Sequence, residues 1–323
     1  MTDKTWQVAD VGASDVPDVR LLFEAVFGHA MSDSLWNWKY GDGRGVGVAA
    51  RAPDGELLAH YGGTYRELRY GAFAHHGIHI GDVMVAAAGR AALSHKGPFG
   101  LVTEEFFRCH VGSTKGKGVG FGFPNDRHMR LGERLGHYVR VESIFELQWP
   151  AVSSRDFEAV PIDWSDLSTE ARINELCESL MASFLEHVIP LRSFSWLKHR
   201  FANHPEYQYQ AFWIKELGSR RLLGAIFLRT LPTGCLPDGQ ACWELMDWIG
   251  SPVNSTMLVE AARHVVFERS GHALRLWCSG LVADQVYLSE GSKNRVCFAA
   301  MTIPNPFSET PRWWLTGGDT DFR

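Results

Sequence analysis

Apolar positions recur with two periods along this chain, and the switches between them mark out its elements. Helical spacing, with apolar residues three and four apart, predicts a helix near Asp15–Phe27. Strand-like runs at Val46–Ala52 and Leu57–Tyr65 are separated by Pro53-Asp54-Gly55, which predicts a hairpin. An apolar run from Ile78 to Val85 predicts a buried strand. Phe99, Val102, Phe106 and His110 then share one face of a helix opening at Pro98. A strand at Val119–Phe123 and a helix at His128–Leu135, closed by Gly136, complete the series.

The periodicity breaks between Pro150 and Asp166, where turn residues gather, and then the same order of elements begins again. A helix is predicted near Thr169–Glu186. Strands follow at Tyr207–Lys215 and Leu222–Arg229, then Met246–Gly250, with a helix at Thr256–Glu268 and a strand at Ala273–Cys278. A last helix is expected at Val286–Glu290 before Gly291. The chain therefore reads as two similar domains, residues 1–150 and 151–323. Each is α/β of the mixed α+β kind, with a mixed, mainly antiparallel central sheet flanked by helices.

The junction between the strand at Ile78–Val85 and the helix at Pro98 carries the densest chemical signal. Gly97 lets backbone approach a ligand closely, and Pro98 suits a first helical position. The free N–H groups and dipole of such a helix start attract phosphate, and Lys96 adds a charge. The corresponding stretch of the second half, Ser251-Pro252-Val253-Asn254-Ser255, has no glycine, so the cradle reads as lost there.

Composition narrows the classes. With 45% hydrophobic and 21% charged residues and a net charge of −5, the chain reads as a globular protein without a global attraction to nucleic acid or anionic membrane. Between residues 90 and 140, however, nine basic residues face four acidic ones, which points to a local anionic partner. No apolar run approaches 18 residues, and the first residues lack a basic-then-apolar signal, so a cytoplasmic location is expected. The six cysteines form no C-x-x-C pair, and His75, His76 and His79 alternate along a strand, so no metal site is expected.

The order of elements, with a glycine-containing cradle after the fourth strand, resembles the GNAT superfamily of acyl-CoA N-acyltransferases. The residues that carry the resemblance are Trp36-Asn37-Trp38-Lys39-Tyr40, Asp82-Val83-Met84-Val85, the cradle, Gly120-Phe121-Gly122-Phe123-Pro124-Asn125 and the tail Arg312–Asp321. The resemblance implies an enzyme that moves an acetyl or other acyl group from acyl-CoA directly to a primary amine of a small molecule. It implies that Val83, Met84 and Val85 line the pantetheine arm, that His95, Lys96, Gly97, Pro98, Phe99 and Gly100 hold the pyrophosphate, and that Asn125 lies near the arm. Trp36, Trp38, Lys39 and Tyr40 would cover the acceptor. The chain departs from the family at Ser94, Pro98 and Phe99 within the cradle. It also has Gly132 where a tyrosine acid, four residues before the closing glycine, is often found; Tyr287 holds that place in the second half.

For catalysis, Asp82 could act as a base through water, His79 has a suitable unperturbed pKa, and Tyr138 is the fallback acid. Each reads equally as structural: Asp82 as a sheet carboxylate, like Asp247 in the second half, and His79 as a strand histidine. Two other readings keep the fold. One is aminoacyl transfer from charged tRNA, suggested by Lys115, Lys117, Arg127, Arg130 and Arg134; the other is a non-catalytic acyl-CoA sensor, suggested by the missing tyrosine. The expected state is a monomer or homodimer, with acetyl-CoA or a related acyl-CoA as co-substrate.

Overall fold

The computed structural model describes residues 6–92, 97–112, 118–232, 239–286, 290–307 and 309–320. The first half runs β1 (Gln7–Asp10), α1 (Val16–Phe27), α2 (Asp33–Tyr40), β2 (Gly45–Arg51), β3 (Leu57–Tyr70), β4 (Phe73–Val85), α3 (Pro98–His110), β5 (Val119–Gly122), α4 (Asp126–Arg134) and β6 (Tyr138–Pro150). The second half runs β7 (Phe157–Pro161), α5 (Leu167–Ala182), β8 (His187–Pro190), α6 (Phe194–Leu197), β9 (Gln210–Glu216), β10 (Leu222–Thr230), β11 (Cys242–Gly250), α7 (Ser255–Glu268), β12 (Ala273–Ser279), α8 (Gly280–Val286), β13 (Ser292–Thr302) and β14 (Arg312–Trp313).

Local chemistry explains the ends. The α2 helix starts on Ser32, whose hydroxyl accepts from Leu35 N. The α1 helix ends on Gly28 at φ 78°, a left-handed position that costs glycine nothing. Asn125 caps α4 by accepting from His128 N.

Among the described residues the strands join into one sheet in the order β1-β2-β3-β4-β5-β13-β6-β12-β11-β10-β9-β7, with β8 on β3 and β14 on β8. The two halves exchange strands: β13 of the second half sits between β5 and β6 of the first, and β6 pairs with β12 of the second. Helices cover both faces. Opposite faces of β2 show the division, since Ala49 packs with α1 and α2 while Val48 and Ala50 pack with α3. This is the expected mixed α/β architecture of two related halves.

Three elements depart from the sequence reading. The break at Pro150–Asp166 contains β7, which pairs with β9. A helix spans Gly280–Val286, ahead of the one expected at Val286–Glu290, of which residues 287–289 lie outside the described residues. The long strands β6 and β13 are the third; their polar residues, Arg140, Glu142 and Glu146 in β6 and Lys293, Asn294 and Arg295 in β13, hide the apolar alternation.

Candidate active site

The site begins where β4 and β5 part. These parallel strands pair only from Gly77 with Val119 to His79 with Phe121. Beyond that register β4 bulges: Asp82 adopts φ 49°, and the pairing with β3 shifts between His60 and Gly62. His60, fully buried, donates from Nδ1 to the Asp82 carbonyl at 2.7 Å and so fixes the bulge.

Through the split runs a cavity of about 500 Å³. Its walls include Ile80–Val83 of β4, Gly122–Asn125 after β5, His128 of α4 and Tyr138 of β6. The other end is lined by Phe23 and Phe27 of α1, Leu35 and Lys39 of α2, and His204, Glu206 and Tyr207 of the second half. α1 lines one end, and His128 at the other packs on Phe99 of α3, the helix that covers the opposite face of the sheet.

Asp82 stands at the middle of this passage. Lys39 Nζ lies 2.6 Å from its carboxylate, both side chains being over nine-tenths buried, and the Tyr40 hydroxyl donates to Oδ2 at 2.6 Å. A buried carboxylate of this kind needs its cation, since desolvation would otherwise be uncompensated.

At the α4 side, hydroxyls line up. Tyr61 and Tyr138 share a short hydrogen bond, and Tyr138 OH lies 3.4 Å from His128 Nε2. Burial raises both tyrosine pKa values, so each phenol keeps its proton, and burial lowers His128 to about 4, so its ring is neutral. A Cβ added to Gly132 would collide with the Tyr138 ring. The Tyr138 side chain therefore fills the space in front of the helix position where the resemblance led one to look for a tyrosine. The hydroxyl comes from β6 instead of α4.

At its N-terminus, α3 starts on Gly97 with no side-chain cap, and Pro98, Phe99 and Gly100 are buried. The Phe99 and Gly100 N–H groups precede the first helical bond, from Leu101 N to Gly97 O at 3.0 Å. No acidic residue lies in the first turn. His95 and Lys96 lie outside the described residues, as do Lys115, Lys117 and Tyr287.

The remaining sequence candidates disperse. Val83 lines the cavity, whereas Met84 packs into the core with α1. Val85 packs beside the α3 core. Asn125 lines the cavity, and its side-chain oxygen is engaged as the α4 cap. His79 faces a second cavity of about 450 Å³, with Trp38, Arg66 and Arg200 among its walls. Lys39 borders both cavities. Trp36 stacks on Tyr40, and Trp38 stacks on His199 of the second half. His75 packs on Phe307 and His79 on Phe121, so the histidine cluster does not converge. Among the described residues, Asp10, Cys109 and His110 do bring three potential ligand atoms within 4.8 Å, at the far end of α3 from Gly97.

The second half repeats the split but closes it. Its β11 and β12 pair only from Cys242 with Ala273 to Leu245 with Leu276. Residues 314–320 fill the opening: Ser279 N donates to Leu315 O at 2.9 Å, and Trp314 packs edge-on against Trp248. Asp247, opposite this plug, is fully buried on Arg192 at 3.0 Å. Burial, opposed by Arg192 and reinforced by Asp319, pushes its pKa up to about 6. Asp319 in turn binds Arg192 at 2.7 Å and Arg66 at 3.0 Å.

Solved structures share this arrangement. A probable N-acyltransferase from Enterococcus faecalis superposes with a TM-score of 0.68 at 11% identity, covering 92% of this chain and 72% of that one. This chain has the GNAT fold. A GCN5-related N-acetyltransferase from Anabaena variabilis gives 0.66 at 10% identity over 93% and 73%. Saccharomyces cerevisiae N-myristoyltransferase, solved with myristoyl-CoA bound, gives 0.56 at 10% identity over 94% and 80%. No family model matches the sequence, and no curated protein matches it.

Sequence reasoning missed His128, Tyr61, His204, Glu206 and Tyr207. Only the last three left a local signal, the polar–aromatic run His204-Pro205-Glu206-Tyr207 at the end of a helical segment.

Proposed function

We propose that the protein transfers an acyl group from acyl-CoA to an amine. The observation that carries this reading is the cavity through the parted strands, with His128, packed on Phe99 at the uncapped α3 start, at one end and an acceptor-sized chamber at the other. The stretch of β4 from Ile80 to Val83, beyond its register with β5, suits the pantetheine arm, and Gly97 to Gly100 suit the pyrophosphate. The first half would hold the donor. The second, its own split plugged by residues 314–320, would supply an acceptor wall through His204 to Tyr207.

In this scheme the amine nitrogen attacks the thioester carbonyl, and the carbon–sulfur bond breaks as the amide forms. The Tyr138 hydroxyl, positioned by Tyr61, gives its proton to the departing thiolate and regains one from solvent through the cavity it lines, as Asp82 returns its own to solvent. Asp82, held by Lys39 and Tyr40, accepts the proton the nitrogen sheds. Holding both reactants in one cavity supplies much of the rate, and a positioned acid adds roughly 10²–10⁴-fold.

Thiol release from acetyl-CoA, followed across a panel of primary amines, tests the reading. Turnover that falls about 10²-fold in Tyr138→Phe, with the KM for acetyl-CoA nearly unchanged, is the expected result. Tight acetyl-CoA binding with no thiol release on any amine would favour a sensor instead.

A further inference from the structure

The charges along the cavity point to the kind of amine that enters it. Lys39 and Asp82 cancel each other at 2.6 Å. His128 and His204 are held neutral by burial, at about 4 and about 3. That leaves two exposed residues, His29, which packs edge-on against Phe23, and Glu206 at the second-half end; among the described residues the Glu206 carboxylate accepts from Ser32 Oγ at 2.7 Å, and it is the one acidic group of the lining besides Asp82. No cation pairs with Glu206 among the described residues. Arg229, 5.0 Å from the centre of the neighbouring Tyr207 ring, is itself held by Glu244 at 2.8 Å.

The α1 and α2 side of the cavity presents an apolar wall. Phe23, Phe27 and Leu35 form it, and Phe27 and Tyr207 are 46% and 44% exposed, so two aromatic rings are left open to solvent at this end. An amine bound only at Glu206 would be held at the exposed end, away from the bulge. An amine reaching Asp82 with a second positive group behind it would satisfy both ends.

We infer that the acceptor is an amine carrying a second cation across an apolar spacer, with Glu206 holding the distal charge and the Phe27–Tyr207 aromatics gripping the spacer. This rests on the acyl-transfer reading above and adds the acceptor class to it. The exposed carboxylate and rings attract such a ligand by charge and by cation–π contact.

Equilibrium binding of 1,5-diaminopentane and pentylamine to the full-length protein, measured by calorimetry in wild type and Glu206→Gln, tests the inference. The wild type should bind the diamine at least tenfold more tightly. Glu206→Gln should erase that preference by weakening diamine binding the more strongly, with the melting temperature unchanged, and Ser32→Ala should retain it. Equal affinity for the two amines, a preference that survives Glu206→Gln, or binding of neither at millimolar concentration would overturn it. Acetyl-CoA titrated into the same samples separates the two claims. Donor binding without diamine preference removes only the acceptor class; diamine preference without donor binding removes the acyl-transfer reading.

Discussion

Tyr138, on β6, occupies space that the neighbouring helix leaves open. Gly132 leaves a gap on α4, and the Tyr138 ring fills it from the next strand with its hydroxyl against Tyr61. Gly132→Ala should therefore displace the ring and lower turnover along with stability, whereas Tyr138→Phe should lower turnover with a stability loss limited to about 1–3 kcal/mol, the cost of leaving the buried Tyr61 hydroxyl without its partner. His128, beside the same hydroxyl, makes a second prediction. Its pKa of about 4 lies below the ordinary 6.5, so the unfolded chain binds that proton more readily, and stability is lost as pH falls from 6.5 toward 4. At pH 5 this one group costs about 2 kcal/mol. The pKa of Asp247 is shifted up, so it opposes this trend below pH 6. A melting curve series should show the decline from pH 7 to pH 5, and it should be shallower in His128→Gln. A pH-independent melting temperature across that range would contradict the assignment.

At the scale of elements, the joint between α2 and β4 sets the chemistry. The β4 bulge turns Asp82 into the passage, His60 holds its carbonyl, and α2 delivers Lys39 and Tyr40 to its carboxylate. Lys39→Met should leave a buried carboxylate without its cation and cost about 3–5 kcal/mol, read as a lower unfolding midpoint in urea. An unchanged midpoint would mean that the pair does not matter to the fold. Much of this joint was legible in the sequence, because Trp36 to Tyr40 and Asp82 to Val85 each stood out. What could not be read was that Asp82 would face Lys39 rather than water, since that contact depends on a left-handed residue within a strand. His79 shows the converse: strand alternation correctly separates it from the neighbouring residue, yet only the packed sheet shows that it opens on a different cavity.

For the whole molecule, the exchange of β13 and β6 makes each half incomplete alone. Residues 1–150 would leave β5 without its β13 neighbour and β6 without either partner, exposing strand edges. That fragment should be unfolded or aggregated by circular dichroism and sedimentation, and co-expression with residues 151–323 should restore a soluble pair. A folded, monomeric fragment would contradict the account of the sheet. The recurring element order led the sequence to be read as two similar domains, but the exchange of strands left no mark there: pairing partners far apart along the chain leave no periodic trace. The plug at residues 314–320 was likewise hidden, although the missing glycine at Ser251–Ser255 already marked the second cradle as altered.

In the proposed function one split is open to acyl-CoA and the other is sealed by the chain itself. Equilibrium titration of the full-length protein with acetyl-CoA counts those sites directly. One site per chain in the wild type, and none in Gly97→Glu with its melting temperature preserved, is the expected result. No binding by the wild type, two sites per chain, or binding unaltered by Gly97→Glu would contradict it.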